Sequence, residues 1–241
     1  VVYGHVVLPL DLAESLPAID QSWNSFRRAK LSTREFRDFD DFTHDLDQSA
    51  NIFQEFTTSL SRNTAPSLYY LHAMLPHKPW QYLPSGKQYS LAPDALDGQI
   101  RLESNNVSYP AWGADQSLID YNYRRHALQA GYVDGLVGEL IERLQETELF
   151  ARSLVVITSD HGASFIPNDF SRRASETNLG EIMWVPLFIK LPFQDQGIIS
   201  DRNVESIDIL PTIIDALEIN VDWKMSGQSA LDTTLPERSS K

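Results

Sequence analysis

The arrangement of apolar and polar positions divides the chain into short buried strands and longer amphipathic helices. Residues 154–157 are four consecutive apolar residues, three of them β-branched, which is typical of a strand buried on both faces. The central strand is predicted to span residues 153–158, and similar apolar runs predict strands at residues 68–75 and 185–190. Apolar residues recur at helical spacing over residues 121–147 and 206–217. This alternation predicts an α/β fold with a mixed or mainly parallel sheet flanked by helices.

The remaining segments surround this α/β core. Residues 1–64 are predicted to be a mostly helical lead-in, because apolar residues recur there on one helix face, namely Ile52, Phe53, Phe56 and Leu60. Residues 81–120 are rich in Pro, Gly, Ser and Asn and predict a long loop, and loops of this length inside a compact domain are usually functional or mobile. Residues 65–232 are the predicted core of a single domain of 241 residues, and residues 233–241 are a polar tail.

Polar residues with metal-binding chemistry follow the central strand directly. Asp160 and His161 come at the end of the 154–157 run, and Gly162 allows a sharp turn after them. Ligands of open α/β sheets bind beyond the carboxyl ends of strands, and carboxylate oxygen and imidazole nitrogen are both ligands for divalent cations. Asp160 and His161 are therefore predicted metal ligands. An isolated Asp-His-Gly sequence is more typical of a helix cap followed by a surface loop.

A histidine lies in a rigid loop after the first predicted strand. His77 stands between Pro76 and Pro79, and two prolines so close together stiffen the backbone and prevent further strand pairing. An imidazole held there can donate a hydrogen bond to an anionic ester or protonate a leaving oxygen, so His77 is the predicted catalytic residue. His72, within the predicted strand, is interpreted as a hydrogen-bonded core residue.

Arginines provide candidate anion-binding groups after the central strand. Arg172 and Arg173 lie in a polar segment, and their planar guanidinium groups would suit an oxyanion if the segment folds back over the strand edge. They are the predicted substrate-binding residues. Basic residues also begin the 121–147 helix, and these either face an anion or form a solvated cluster: Arg124, Arg125 and His126.

Taken together, these motifs resemble the sulfatase branch of the alkaline phosphatase superfamily. The Ile-Thr-Ser-Asp-His-Gly sequence at 157–162 follows a long helix that contains Gly-Tyr-Val-Asp at 131–134. It precedes Val-Pro-Leu-Phe-Ile-Lys at 185–190, and Leu-Pro-His-Lys-Pro-Trp at 75–80 is similar to the His-x-Pro segment of the family. The resemblance covers about residues 65–217 in the order of the family, and it implies an alkaline phosphatase-like fold that is incomplete at its N-terminal side.

The resemblance implies roles for several of these residues. In the family, the histidine that matches His77 contacts the sulfate group, and an Asp-His or Asp-Asn pair such as Asp160 and His161 shares a divalent cation with two acids from the first strand. That cation is expected to be calcium, with magnesium, manganese or zinc as alternatives. The family places a lysine about a dozen residues before its Val-Pro strand, whereas this region offers only arginine, so Arg172 and Arg173 depart from the pattern in residue type.

Charge and composition restrict the partners. The net charge of −13 argues against nucleic acid or an acidic membrane surface as a partner and implies that a small anionic ester substrate needs a local positive centre. There is no cysteine, which excludes disulfides, thiolate metal sites and a cysteine nucleophile within the chain. No run approaches the length of a membrane-spanning helix, and the chain as given is predicted to be soluble. The compartment stays open, and a parent protein outside the cytoplasm or anchored to a membrane is compatible with the sequence.

The functional prediction is a portion of a sulfatase-like, metal-dependent hydrolase of sulfate esters. The sequence has neither a strand ending in paired acids before residue 65 nor a Cys/Ser-x-Pro-x-Arg nucleophile segment, so the chain is interpreted as a fragment that is inactive and binds no metal by itself. The missing N-terminal half of the same polypeptide is then the expected partner. Two alternatives remain: a phosphoester hydrolase or phosphotransferase of the same superfamily, and a binding or structural module without catalysis.

Overall fold

The computed structural model describes residues 40–63, 65–89 and 97–234. The chain divides into two compact units, one formed by residues 37–193 and one that includes the residues from 194 onward. The predictions for residues 1–39 and for residues 235–241 lie outside the described residues. The single domain predicted from the chain length stays a prediction.

The unit of residues 37–193 combines helices with small sheets, which confirms the α/β class. Its elements are α1 (Asp40–Ser59), β1 (Gln99–Ser104), β2 (Val107–Trp112), α2 (Gln116–Glu146), a 3-10 turn (Phe150–Arg152), β3 (Val155–Thr158), α3 (Leu179–Met183) and β4 (Leu187–Lys190). The predicted strands at 153–158 and 185–190 and the predicted helix at 121–147 correspond to β3, β4 and α2.

Both strand pairs of the described residues are antiparallel, so the mainly parallel arrangement is not found in this part of the chain. In the β3–β4 pair, Val155 lies opposite Lys190 and Thr158 opposite Leu187. The physical reason is a turn back at the end of β3. The Gly162 N–H donates to the Ile182 carbonyl at 2.7 Å, which brings the start of β4 next to the end of β3.

The strand predicted at residues 68–75 is wrong. This segment has no ladder partner among the described residues, and without a partner an extended segment cannot satisfy its backbone as a strand does. Its side chains are mostly open to solvent, with Leu68 92% and Tyr70 73% exposed. His72 is also exposed and is not a core histidine. Only Leu75, at the end of the segment, is buried.

The region predicted as a loop, residues 81–120, contains the β1–β2 hairpin. Asn105 and Asn106 connect the strands with φ of 51° and 59°, the left-handed conformation that a two-residue hairpin turn requires. Asparagine adopts this conformation more readily than most residues. The Asn-Asn pair was therefore a local hairpin signal within a stretch whose composition favoured a loop.

Helix α2 begins earlier than its apolar periodicity predicted because of a polar cap. The Asp115 side chain accepts hydrogen bonds from the backbone N–H groups of Ser117 and Leu118, at 2.9 and 3.4 Å. Glycine costs stability inside a helix, so the glycines of α2 indicate positions of close packing. Only Gly131 fits this, with the Pro84 ring 3.2 Å from the place of an added Cβ. At Gly135 and Gly138, no described atom outside the adjacent backbone of the helix lies within 4 Å of that place.

Two apolar clusters hold this unit together. The first joins α1 to α2 and to the segment between them, through Ala50, Phe53, Leu75, Tyr82 and Leu136. Ile52, predicted on the same face of α1, is instead 40% exposed. The second cluster is aromatic and consists of Trp80, Trp112 and Ile119 with Phe165 packed against them. It includes Trp80 and Phe165, which belong to the segments that follow His77 and His161 in the chain.

The other unit is described from residue 194 to residue 234. It contains a 3-10 turn (Ser206–Asp208) that leads into helix α4 (Ile209–Ala216). Asp208 is 2% exposed, and its carboxylate accepts from the N–H groups of Glu205 and Gln228 at 2.9 and 2.8 Å. Ile207 and Leu217, at the two ends of the helix predicted over residues 206–217, are 47% and 44% exposed. Among the described residues, no helix combines the length and apolar character needed to cross a bilayer.

Candidate functional site

The end of β3 places Asp160 and His161 in a short, internally bonded turn. The Ser159 hydroxyl donates to the His161 carbonyl at 2.8 Å, and the His161 N–H donates to Oδ1 of Asp160 at 2.9 Å. Gly162 is required next, because a Cβ there would lie 1.9 Å from the Glu181 carbonyl oxygen. The local sequence therefore fixes the direction in which the two side chains leave the strand.

The loop that carries His77 is held by helix α2. The Gln129 side chain is fully buried and forms three hydrogen bonds with the loop. It donates to the His77 carbonyl at 2.7 Å and accepts from the N–H groups of Gln81 and Tyr82 at 2.9 and 3.3 Å. Arg125 donates to the Trp80 carbonyl at 2.6 and 3.1 Å. Arg125 therefore supports the loop. This contact explains the position of the Arg125 side chain better than membership of a solvated basic cluster does.

Sequence reasoning missed the supporting role of Gln129, although the sequence contains a signal for it. Gln129 lies seven residues before the buried Leu136 and seven residues after the buried Asn122, so all three share one face of α2. A polar residue at a core position of an amphipathic helix needs a hydrogen-bond partner inside the protein. Such a residue is a candidate support for a neighbouring loop.

Three of the predicted site residues lie together, because the Arg172 guanidinium contacts both His77 and His161. One terminal nitrogen of Arg172 lies 2.9 Å from Nε2 of His77, and the other lies 2.7 Å from Nε2 of His161. The predicted convergence of His77 with the end of β3 is therefore present, although no parallel strand pair within the described residues creates it. Arg172 itself is exposed to solvent.

The hydrogen bonds define the state of both imidazole rings. Nδ1 of His77 lies 2.6 Å from the Lys78 carbonyl, and Nδ1 of His161 lies 2.7 Å from the Gly162 carbonyl. A carbonyl only accepts, so each Nδ1 carries the proton and donates it. A guanidinium only donates, so each Nε2 is unprotonated and accepts from Arg172. Both rings thus direct an Nε2 lone pair at the same positive group.

The surroundings of His77 favour the neutral ring. Burial lowers the pKa of His77 below its usual range, and the positive Arg172 and the neighbouring His161 lower it further. The hydrogen bond to the Lys78 carbonyl and the Asp160 carboxylate raise the pKa, but by less. At neutral pH the His77 Nε2 is therefore an acceptor, and it becomes a donor only when the ring takes up a proton.

The second predicted arginine lies in a different environment. The Arg173 guanidinium lies over the rings of Tyr109 and Phe170, with centroid distances of 4.7 and 5.1 Å. The structure thus places the neighbouring arginines differently: Arg172 donates to the two histidines, whereas Arg173 packs on aromatic rings.

Asp160 and His161 are residue types that bind divalent cations, but two side chains are fewer ligands than a stable site needs. The Asp160 side chain is 76% exposed, and its Oδ2 lies 3.8 Å from Nε2 of His161. A histidine that donates Nδ1–H to a backbone carbonyl, as His161 does, has the arrangement common to metal ligands. Within the described ranges, however, no group of three or more His, Cys, Asp or Glu side chains is placed to hold a metal ion. The Nε2 atom of His161 is also engaged by Arg172.

An aromatic wall stands beside the loop of His77. The rings of Trp112 and Phe165 are stacked at 5.5 Å and 25°, and Trp80 contacts both at 6.4 and 5.5 Å. His126 packs against Trp80 and Phe165 at 5.5 and 5.4 Å, and burial lowers its pKa. The basic start of α2 therefore contributes a packed imidazole rather than a free anion-binding group at this position.

The comparisons with known proteins agree on one family. A family model described as Sulfatase matches residues 20–219. Arylsulfatase K of Xenopus laevis is 28% identical over 148 residues, which covers 52% of this chain and 27% of that protein. Arylsulfatase K of Homo sapiens is 25% identical over 192 residues, covering 70% and 35%. An ulvan-active sulfatase of Formosa agariphila is 25% identical over 183 residues, covering 75% and 34%. The chain spans about a quarter to a third of the length of these relatives.

Proposed function

This chain belongs to the sulfatase family, and we propose that its site beyond β3 binds the anionic group of a small sulfate ester that the protein hydrolyses. The observation that carries the proposal is the exposed Arg172 guanidinium, held between His77 and His161. The names of the relatives, arylsulfatase K and ulvan-active sulfatase, support sulfate esters as the substrate class.

Arg172 is the proposed anion-binding group. A guanidinium has five N–H donors, and the two histidines account for two of them, so further donors remain for the oxygens of an ester. The chain carries a net charge of −13, so an anion gains most from a fixed local positive charge. The planar fork of Arg172 provides this charge together with the geometry for two parallel hydrogen bonds.

His77 is the proposed proton-carrying residue. Its Nε2 faces Arg172 and accepts at neutral pH. A sulfate group next to the ring adds negative charge, which favours the protonated ring and turns Nε2 into a donor. In that state His77 donates a hydrogen bond to the ester and can pass its proton to the leaving oxygen when the sulfur–oxygen bond breaks.

The nucleophile and the first acidic residues are proposed to come from the upstream half of a sulfatase polypeptide. The sequence of this chain contains no Cys/Ser-x-Pro-x-Arg segment. The chain by itself is therefore proposed to bind the anion without turning it over. Exposed apolar side chains near β4, Trp184 at 86% and Phe188 at 64%, support a contact with such a further segment.

The proposal includes a divalent cation, calcium foremost, with magnesium, manganese or zinc as alternatives. Asp160 would contribute its exposed carboxylate and His161 its Nε2 atom, after Arg172 has released that atom. When bound, a cation at this position would neutralise negative charge on the ester oxygens.

Sulfate binding to the isolated chain tests the anion site. We expect sodium sulfate to shift the Nε2 signals of His77 and His161 in long-range proton–nitrogen spectra, at constant ionic strength maintained with chloride. Arg172→Ala should weaken the sulfate affinity about 10- to 100-fold, because charged hydrogen bonds each contribute about 1.5–3 kcal/mol. The measurement is a titration of both proteins at one pH.

The control for this titration is Arg101→Ala, which removes an exposed arginine bonded to Ser108 on the hairpin and should leave the affinity unchanged. His126 is an internal reference because its ring packs on aromatic residues. If sulfate left both histidine signals unmoved, or if Arg172→Ala bound as well as the unaltered chain, the anion site would be refuted. Preference for phosphate over sulfate would favour the phosphoester alternative.

The cation is expected to bind the isolated chain only weakly. Asp160 and His161 supply two ligands, whereas stable sites need about four for zinc and six or more for calcium. Isothermal titration with calcium, magnesium, manganese and zinc should show no submicromolar binding. Submicromolar affinity that is lost on Asp160→Ala would instead show that these 241 residues complete a metal site.

A further inference from the structure

The position of Arg172 depends on a loop of residues 169–178, which we call the arginine loop. Arg172 is exposed, yet its guanidinium must stay between the two histidines. The loop has no helix or long strand of its own, so its shape must come from specific hydrogen bonds.

One end of the arginine loop is organised by the Asp169 carboxylate. Asp169 is 9% exposed, and its Oδ1 accepts from the Phe170 N–H at 2.7 Å. Its Oδ2 accepts from the Ser175 hydroxyl at 2.7 Å and also from the Thr177 hydroxyl. Burial alone would raise the pKa of this carboxyl, but the three hydrogen bonds outweigh burial and lower it. The charged carboxylate thus ties the two ends of the loop together.

The other end is organised by the Asn178 side chain, which is completely buried. Its Nδ2 donates to the Phe170 carbonyl at 2.8 Å and to the Arg173 carbonyl at 3.0 Å, and its Oδ1 accepts from the Ser175 N–H at 2.7 Å. The two carbonyls lie on either side of Arg172 in the chain. Asn178 therefore fixes the backbone both before and after the arginine.

The arginine loop is in turn attached to strand β2. The Trp112 N–H donates to the Asp169 carbonyl at 2.9 Å, and the Ser171 N–H donates to the Pro110 carbonyl at 3.1 Å. The loop is thereby held against the same hairpin strand that contributes Trp112 to the aromatic wall. A loop attached in this way can present a side chain at a fixed position.

We propose that Asp169 and Asn178 are positioning residues for Arg172, holding its backbone so that the guanidinium stays between His77 and His161 before the anion arrives. The reason for holding Arg172 in this place, to bind an anion, rests on the proposed function. The position of Arg172 itself can be measured without substrate. Neither residue touches the anion. Each acts through Arg172, in the way that outer residues orient the direct ligands of a site.

The test uses the full chain with two isosteric variants, Asn178→Asp and Asp169→Asn. In Asn178→Asp, the side-chain nitrogen that donates two hydrogen bonds is replaced by an oxygen, which would face the two backbone carbonyls as an acceptor. Both variants should move the Nε2 signals of His77 and His161, without any anion, towards the values in Arg172→Ala. Both should also weaken sulfate affinity about 10-fold. Asn168→Asp, an exposed change of the same charge directly before the loop, should leave the signals and affinity unchanged.

Three outcomes decide the proposal. Variants with a lower melting temperature but unaltered histidine signals and sulfate affinity would overturn it, because the two residues would then serve stability alone. If Asn178→Asp does not fold, Thr177→Val at an exposed position removes one donor to Asp169 and must shift the signals in the same direction by a smaller amount. Absence of sulfate binding in the unaltered chain would refute the proposed function, while the histidine signals would still decide whether Asp169 and Asn178 position Arg172.

Discussion

Replacing Trp112 by alanine is expected to destabilise the unit of residues 37–193 by about 3–5 kcal/mol, the usual cost of truncating a buried tryptophan. Trp112 is 0% exposed, and its ring stacks against the rings of Trp80 and Phe165. Its indole N–H donates to the Ser164 carbonyl, which would lose its partner in the variant. The cavity and the unpaired carbonyl act in the same direction, so the change should be among the most harmful single substitutions.

Urea denaturation followed by far-ultraviolet circular dichroism measures this loss, because the signal reports the unfolding of helices α1 and α2. The matched control is Trp184→Ala, a truncation of the same size at a side chain that is 86% exposed. Its effect should lie within about 0.5 kcal/mol of zero. Equal destabilisation by the two variants would contradict the conclusion that the second cluster, of Trp80, Trp112, Ile119 and Phe165, stabilises this unit.

Replacing Arg172 by alanine in the full-length gene product is expected to lower kcat/KM for an aryl sulfate about 10²- to 10³-fold. This is the usual loss when one preorganised donor to a developing negative charge is removed. The physical reason is that Arg172 carries the exposed positive charge held between His77 and His161, and those histidines cannot donate from Nε2 while their rings are neutral. The measurement is steady-state hydrolysis of the aryl sulfate, with the matching aryl phosphate assayed in parallel.

Two variants make this assay specific. Arg172→Lys keeps the charge but loses the planar fork, so its rate should fall between those of alanine and arginine. Arg101→Ala should retain full activity, since this arginine bonds to Ser108 on the hairpin. Retention of activity in Arg172→Ala would remove Arg172 from the catalytic site, and a full-length product without turnover of either ester would favour a non-catalytic module.

Several features of the chain follow from local sequence alone, because their causes lie within a few residues of each other. The four apolar residues before Thr158 form β3, and the apolar spacing after residue 121 forms most of α2. The cap at Asp115 and the turn at Asn105 and Asn106 are equally local, because these residue types favour caps and tight turns by themselves. The sulfatase motifs are short segments and are recognisable for the same reason.

The extended segment at residues 68–75 shows where local pattern fails. Its apolar and aromatic residues favour a strand, but a strand exists only with a neighbour to complete its hydrogen bonds, and the neighbour is decided by distant parts of the chain. The direction of the β3–β4 pair is a similar case. It depends on the contact between Gly162 and Ile182, which periodicity does not reveal.

The candidate site likewise has features that local sequence predicts and features that depend on distant contacts. The sequence by itself determined which residues have suitable chemistry: His77, Asp160, His161, and the arginine pair at 172 and 173. Only the tertiary structure decided that Arg172 joins the two histidines while Arg173 packs on rings, since neighbouring residues of one type have the same local signal. His77 and Arg172 are 95 positions apart, and their meeting depends on Gln129 holding one loop and Asn178 the other. Such contacts arise from packing between distant segments, which leaves no periodic trace in the sequence.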